Sequence, residues 1–126
     1  EVNNKLAPSA GTCMVMGTAS TMALCSEALG MMLPGGACTP AVMAERLRHA
    51  EASGARAVAL AKEKLTPDRI MTPEAFENAL RVLLAVGGST NAIIHLTAMA
   101  GRLGIEIDLD AFDRMGRDTP VLVDLK

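Results

Sequence analysis

A single cysteine lies in the most neutral stretch of the chain, where its surroundings could carry chemistry. Cys13 belongs to the run GTCMVMGTASTM at residues 11–22, which combines a thiol with several hydroxyls and two glycines. Glu27 is the only formal charge between Lys5 and Glu45. A thiolate at a loop-to-helix junction is favoured by nearby backbone N–H groups and can bind a metal cluster. Composition alone favours a simpler interpretation, a buried structural thiol.

The neutral run predicts a buried wall rather than a membrane span. Gly, Ser, Thr and Pro interrupt it, whereas a span needs about 20 continuous apolar residues. We expect a loop that presents Cys13 to a cavity and then enters a helix. That helix should begin near Thr18 or Ser20, either of which could cap it, and run to Leu29 with Gly30 as its stop.

Three other groups have both a chemical and a structural interpretation. Residues 87–90, GGST, offer N–H groups at a helix start, where a carboxylate or phosphate binds, but simple capping also explains them. His95 has no acid three or four residues away, so a packed histidine is expected rather than a catalytic one. The acids at residues 106–113 lack the glycine and terminal glutamate of a calcium loop, so we expect a solvated stretch.

Helical periodicity dominates the rest of the chain. The pair Thr39-Pro40 predicts a helix start, and apolar or small residues then recur at helical spacing. They are Met43, Leu47, Ala50, Gly54, Val58, Ala61 and Leu65. Because Gly54 falls on this stripe, it predicts close packing against another helix.

The second half of the chain predicts two further helices and a short third one. Thr72-Pro73 opens a helix whose inner face is Phe76, Leu80, Leu83 and Leu84, and Gly87-Gly88 ends it. Ser89 or Thr90 caps the next, which carries Ile93, Ile94, Thr97, Ala100 and Leu103 before Gly104. Residues 105–109 fit a strand or a loop equally, and Asp108 predicts a cap for a helix to about Met115. Residues 121–125 are the best strand candidate.

Composition limits the class of protein. The 126 residues include nine Met and two Phe but no Trp or Tyr, and the net charge is −2. Without a basic cluster or an aromatic platform, nucleic-acid binding is not expected. Three cysteines, an odd number, argue against a disulfide framework, and no signal peptide or membrane anchor is visible, so we expect a cytoplasmic protein. A start at Glu1 without Met favours residues 1–126 being one domain, or part of one, from a longer chain.

Three blocks of sequence resemble one enzyme family in the order that the family has them. The first is GTC at residues 11–13 with MGTASTM at residues 16–22, followed by EALGM at 27–31 and LPG at 33–35. The second is AFENA at 75–79, GGSTNA at 87–92 and HL at 95–96. The third is PVLVDLK at 120–126. Together they resemble the iron–sulfur dehydratases, the dihydroxy-acid and 6-phosphogluconate dehydratase family with its sugar-acid branch.

The resemblance implies a function and a cofactor set. It implies a mainly α fragment of an α/β domain, in a hydro-lyase that converts a 2,3-dihydroxy sugar acid to a 2-keto-3-deoxy acid. The cofactors implied are an iron–sulfur cluster, 2Fe-2S or 4Fe-4S, and Mg. Cys13 matches a cluster cysteine, whereas Cys25 and Cys38 match no ligand position and are expected to be structural. The partners implied are a small-molecule substrate, the remainder of the parent chain and a second copy in a homo-oligomer.

The same resemblance limits what the isolated chain can do. The family's magnesium-binding acids, modified lysine and serine base have no counterpart here, so the isolated chain is expected to be inactive. The run after Cys13 resembles the sugar-acid branch, and Thr18, Ser20 or Thr21 would offer hydroxyls to a polyol. Two alternatives remain: a dihydroxy-acid dehydratase of branched-chain amino-acid synthesis, and a non-catalytic helical module that binds a partner through a Met-rich neutral surface.

Overall fold

The computed structural model describes residues 9–124, and all regular structure in that range is helical. The α-helices in chain order are α1 (Thr18–Ala28), α2 (Ala44–Glu63), α3 (Pro73–Ala85), α4 (Asn91–Arg102) and α5 (Leu109–Asp118). A 3-10 turn, Pro67–Arg69, precedes α3. The prediction of a mainly α fragment is confirmed, while the α/β surroundings expected in a longer protein stay a prediction.

Helix α3 lies at the centre of the fold, and local chemistry explains its start. The Thr72 hydroxyl accepts the Ala75 N–H at 3.3 Å, and Pro73 occupies the first turn, as predicted. α1 and α3 make the most extensive helix–helix contact, and α4 and α5 also pack on α3. The shared core consists of Cys25, Leu29, Phe76, Ala79, Leu80, Leu83, Ala92, Leu96 and Ala100.

Helix α5 begins at its predicted cap and closes one side of this core. The Asp108 carboxylate accepts the N–H groups of Asp110 and Ala111 at 3.0 and 3.1 Å. Phe112 and Met115 pack against the core from this helix. Residues 105–108, which fitted a strand or a loop, form an irregular connection. Here a local capping signal was sufficient to place the helix.

Helix α2 differs from its prediction in both start and packing. It begins at Ala44 after Met43, because the Thr39 hydroxyl donates to the Gly35 carbonyl at 2.8 Å instead of capping a helix. None of its residues is buried, and it packs on no other helix of the described chain. A Cβ built on Gly54 would have no neighbour within 4 Å, so the prediction of close packing there is wrong.

Helix α4 is placed as predicted, and Ile93, Ala100 and Leu103 of the predicted set contact the core, whereas the other two do not. Ala92, Leu96 and Ala100 are fully buried, whereas Ile94 is 69% exposed and Thr97 is also exposed. The predicted set included Ile94 because three apolar residues, 92–94, stand together near the start of the helix. Burial of Ala92 and Ala100 allows α4 to lie close to its neighbours.

The strand predicted at residues 121–125 is absent from its described part, residues 121–124. The N–H groups of Leu122 and Val123 both donate to the Ala85 carbonyl, at 2.7 and 3.3 Å, and no strand in residues 9–124 offers an edge for pairing. Leu125 lies outside the described residues. This segment therefore caps the end of α3 instead of joining a sheet.

Candidate functional site

Cys13 lies on the surface, in the loop that leads into α1. Its neighbours Met14 and Val15 are 66% and 80% exposed, and Cys13 is itself exposed. The interpretation of this residue as a buried structural thiol is therefore wrong. The backbone N–H groups of Val15 and then Gly17 hydrogen-bond to the sulfur and hold the pKa of Cys13 below its ordinary value. Because the thiolate is both the nucleophile and the metal ligand, the loop favours the form of Cys13 that can react or bind a metal.

The other two cysteines differ sharply from each other. Cys25 is fully buried in the core, and its thiol donates to the Ala79 carbonyl with an S–O distance of 3.8 Å. Burial raises the pKa of Cys25 to about 11, which keeps it a neutral thiol. Cys38 is exposed. The expected structural role therefore fits Cys25, whereas Cys38 contributes nothing to the core.

The three hydroxyls expected around a substrate cavity occupy different environments. Thr21 is fully buried, and its hydroxyl donates to the Met16 carbonyl at 3.4 Å and accepts the Ser89 N–H at 3.0 Å. It is therefore not available to a bound molecule. Thr18 and Ser20 are half-buried near the start of α1. Neither caps the helix, whose N-cap is Gly17 without a side-chain cap bond.

The hydroxyls of Thr18 and Ser20 are tied to neighbouring loops. The Ser20 hydroxyl donates to the Thr12 hydroxyl at 3.2 Å, which connects the residue before Cys13 to the first turn of α1. The Asn91 amide donates to the Thr18 hydroxyl at 2.8 Å, which joins the N-termini of α1 and α4. The Thr18 hydroxyl therefore keeps its donor and one lone pair for a further partner, and the Ser20 hydroxyl keeps its two lone pairs.

The GGST segment forms the contact between α4 and α1. A Cβ built on Gly88 would lie 2.7 Å from Thr21 Cγ2 and 2.8 Å from Leu83 Cδ1, so only glycine fits at this position. The Ser89 hydroxyl accepts the Asn91 N–H at 3.3 Å, while Thr90, the N-cap residue, makes no side-chain cap bond. The segment thus supplies backbone contacts to α1 as well as a local cap for α4.

Glu27 organises the loop on the far side of α1. Its carboxylate accepts the N–H groups of Gly35 and Ala37 at 2.6 and 2.8 Å. Hydrogen bonds from Ala37 and Gly35, together with the charge of His49, hold the pKa of Glu27 below its ordinary range. The one charge of the neutral run is therefore a support for the turn at residues 33–37.

The remaining candidate groups lie apart from the Cys13 loop. His95 is exposed, so the expectation of a packed histidine is wrong. The acids at residues 106–113 are exposed, as expected for a solvated stretch, and no group of three or more His, Cys, Asp or Glu within residues 9–124 could hold a metal ion. A cavity of about 570 Å³ lies between α2 and the loop after α1, and its lining does not include Cys13.

Two residues of the site were missed by sequence reasoning, although each carried a signal. Asn91 follows Ser89 and Thr90 directly, so its side chain belongs to the same polar helix start. Glu27 is the only charge in a long neutral run, and a lone carboxylate in such a setting needs hydrogen-bond donors. The partner of Asn91 lies 73 residues away, and those of Glu27 lie in the loop after its own helix.

Comparison with known proteins shows which family this chain resembles over its length. The family model described as "Dihydroxy-acid/6-phosphogluconate dehydratase N-terminal" matches residues 1–126. A protein named dihydroxy-acid dehydratase 1, from Methanosarcina acetivorans, is 52% identical over 93% of this chain and 21% of its own length. A protein named L-arabinonate dehydratase, from Rhizobium leguminosarum bv. trifolii, is 53% identical over 99% of this chain and 22% of its own length.

The chain therefore belongs to the dihydroxy-acid/6-phosphogluconate dehydratase family and corresponds to part of its N-terminal domain. It spans about a fifth of the length of the curated relatives described above. These relatives are dehydratases by name, which confirms the family expected from the sequence blocks. Among residues 9–124, no helix has the length and apolar character that crossing a membrane requires.

Proposed function

We propose that this chain is part of an iron–sulfur hydro-lyase that dehydrates a 2,3-dihydroxy sugar acid to a 2-keto-3-deoxy acid. The observation that carries this proposal is Cys13, an exposed cysteine whose sulfur accepts N–H groups from Val15 and Gly17. Family membership supplies the reaction class. The three cysteines are unpaired, which supports a reducing compartment and hence the cytoplasm.

Cys13 is suited to be one of the protein ligands of an iron–sulfur cluster. A cluster is usually held by four thiolates, and Cys13 combines exposure with a pKa held below its ordinary value. The other cluster ligands and the residues for Mg would come from the remainder of a longer chain. When bound, the cluster would supply a Lewis acid for the leaving hydroxyl.

The chain's own contribution would be to orient the cluster and the substrate. Cys13 would hold one iron, and the helix N-terminus at Thr18 would favour a negatively charged ligand nearby. Thr18 and Ser20 would offer hydroxyls to a polyol, whereas Thr21 would act only in the fold. A methyl-branched substrate would leave such hydroxyls unpaired, at a cost of about 1–3 kcal/mol.

The experiment on the cluster compares two exposed cysteines in the full-length protein. Cys13→Ser should remove the visible iron–sulfur absorption and the formation of 2-keto acid, because an alkoxide binds iron more weakly than a thiolate. Cys38→Ser is the matched control and should retain both, as should Cys25→Ser. Equal iron loss in the Cys13 and Cys38 variants would contradict the assignment of Cys13 as a ligand.

The substrate is tested separately, because relatives with both kinds of name are similarly identical to this chain. We expect kcat/KM for an aldonate to exceed that for 2,3-dihydroxyisovalerate by about tenfold to a hundredfold. The panel should include pentonates and hexonates. Faster turnover of dihydroxyisovalerate would reject the sugar-acid substrate and favour the branched-chain alternative, without affecting the reaction class.

We also propose that the remainder of the parent chain covers the apolar stripe of α2. The stripe includes Leu47 and Val58, which are 75% and 57% exposed, and the relatives are about five times longer than this chain. The isolated chain should therefore self-associate, and sedimentation velocity would detect it. A monomer over a wide concentration range would contradict this and favour a self-sufficient helical module.

A further inference from the structure

Hydrogen bonds from the start of α4 stabilise the turn between Cys13 and α1. Asn91 donates to the Thr18 hydroxyl at 2.8 Å, and the Ser89 N–H donates to the Thr21 hydroxyl at 3.0 Å. Thr21 in turn donates to the Met16 carbonyl at 3.4 Å. Two hydrogen bonds that bridge about 70 residues of sequence therefore converge on the turn at residues 16–18.

This turn needs such support, because its own backbone is not in a favoured conformation. Met16 adopts a φ of +52°, in the left-handed region that residues with a side chain rarely occupy. The next residue, Gly17, packs against the Cys13 sulfur, since a Cβ at Gly17 would lie 3.6 Å from it, and its N–H contributes to the lowered pKa of Cys13. Gly17 is thus held in place by hydrogen bonds to the residues on either side of it, Met16 and Thr18.

We propose that Asn91 is a positioning residue for the cluster: through Thr18 it holds the turn in which Gly17 packs against the sulfur of Cys13. This inference rests on the proposed function, in which Cys13 is a cluster ligand. Asn91 makes no contact with the sulfur, so its effect is transmitted through Thr18 and the adjacent peptide. Hydrogen bonds to ligand sulfurs tune both the reduction potential of a cluster and its retention.

The direction of the effect follows from charge. A reduced cluster carries more negative charge than an oxidised one, and an N–H directed at the sulfur stabilises that charge. Loss of the Asn91–Thr18 hydrogen bond would allow the Gly17 N–H to move away. The cluster would then have a more negative reduction potential and would lose iron faster.

The test uses the full-length protein purified with its cluster. Asn91→Ala and Thr18→Val should each shift the reduction potential in the negative direction, change the visible circular dichroism of the cluster, and accelerate iron release to a chelator about tenfold. Thr18→Ser keeps the hydroxyl and should restore all three. Thr97→Val, an exposed position on α4, is the matched control and should leave them unchanged.

The double variant Asn91→Ala/Thr18→Val separates this role from general destabilisation. If both residues act through one hydrogen bond, the double variant should resemble either single variant. Unchanged potential, dichroism and iron release in both single variants, with Cys13→Ser still abolishing the cluster, would overturn the inference and leave the proposed function intact. A cluster that survives in Cys13→Ser would overturn the proposed function as well.

Discussion

Helices α4 and α2 are both amphipathic, but only α4 buries its apolar side. Ala92, Leu96 and Ala100 have no exposed surface, whereas Leu47 and Val58 on α2 are 75% and 57% exposed. On α2 the half-buried residues lie on a different side of the helix, and they are Arg46, His49, Arg56, Ala59 and Leu60. Periodicity therefore identifies a helix and its apolar stripe, but not whether the partner of that stripe lies in the same segment of chain.

The largest expected difference between the two regions is in thiol protection. Cys25, inside the bundle of α1, α3, α4 and α5, should react with iodoacetamide about 1000-fold more slowly than Cys38, which lies in the loop leading to α2. Modification of Cys25 requires the bundle to open, while Cys38 is already exposed. Mass spectrometry of timed samples measures both rates in one experiment. Similar rates would mean that the bundle is not a stable unit.

Truncation of one leucine in each region compares their packing directly. Leu96→Ala should lower the free energy of unfolding by about 2–5 kcal/mol, because it leaves a cavity in the core. Leu47→Ala, the matched change on α2, should alter it by less than about 0.5 kcal/mol. Urea unfolding of the 126-residue chain, followed by far-ultraviolet circular dichroism, measures both. An equal cost for Leu47→Ala would show that its side chain is covered.

Two glycine substitutions should change the free energy of unfolding in opposite directions. Gly88→Ala should lower the free energy of unfolding by about 1–3 kcal/mol, since the new methyl group would overlap Thr21 and Leu83. Gly54→Ala should raise it by about 0.5–1 kcal/mol, because alanine is the better helix former and meets no neighbour. Thermal unfolding of both variants is sufficient. In the full-length protein, a loss of stability from Gly54→Ala would reveal a close partner on α2.

A capping substitution tests how local signals support the bundle. Thr72→Ala should cost about 1 kcal/mol, because it removes the acceptor for the Ala75 N–H at the start of α3. Thr66→Ala precedes the 3-10 turn, where no side-chain cap bond forms, and should cost only a few tenths of that. Both values follow from the same unfolding measurement. If the two costs were equal, the Thr72 hydroxyl would not act as a cap.

The smallest effect concerns the loop between α1 and α2, and it depends on pH. The Glu27 carboxylate has a lowered pKa because it binds the N–H groups of Ala37 and Gly35. Its stabilising contribution is therefore complete above about pH 4.5, the ordinary value for a glutamate, and is lost as the pH falls through the lowered pKa. The protection factors of the Gly35 and Ala37 amides in hydrogen exchange, which are corrected for the intrinsic effect of pH on the exchange rate, measure this loss. Glu27→Gln should remove the pH dependence, and a persistent dependence would assign it to another group.

Sequence reasoning succeeded where a helix boundary is set by the residue next to it. Thr72 and Asp108 cap helices whose first turns they adjoin, and Gly104 ends α4 with a φ of +70°. It failed at Thr39, because the Thr39 hydroxyl donates to the Gly35 carbonyl instead of capping a helix. The strand at residues 121–125 failed for a related reason, since β-branched residues indicate a strand only where an edge is available.

The chemistry of the candidate site could be predicted from the sequence, but the contacts that hold the Cys13 loop in place could not. Cys13 was identified from its neighbours and from the family resemblance. The two N–H groups that lower its pKa depend on the left-handed backbone at Met16, which a methionine does not signal. The hydrogen bond between Asn91 and Thr18 joins residues 73 positions apart, and such a pairing follows only from the packed helices.

The position of α2 also affects how the chain folds. α1 and α3, the most extensively packed pair of helices, are joined by residues 29–72, and α2 lies within this connection without packing on either. During folding, residues 29–72 therefore form a loop whose two ends must come together before the α1–α3 contact can form. Deleting residues 40–64 would shorten this loop by more than half, which lowers the entropy cost of closing it by about 0.6 kcal/mol or slightly more. The mean sequence separation of the native contacts would fall with it, and folding should become faster.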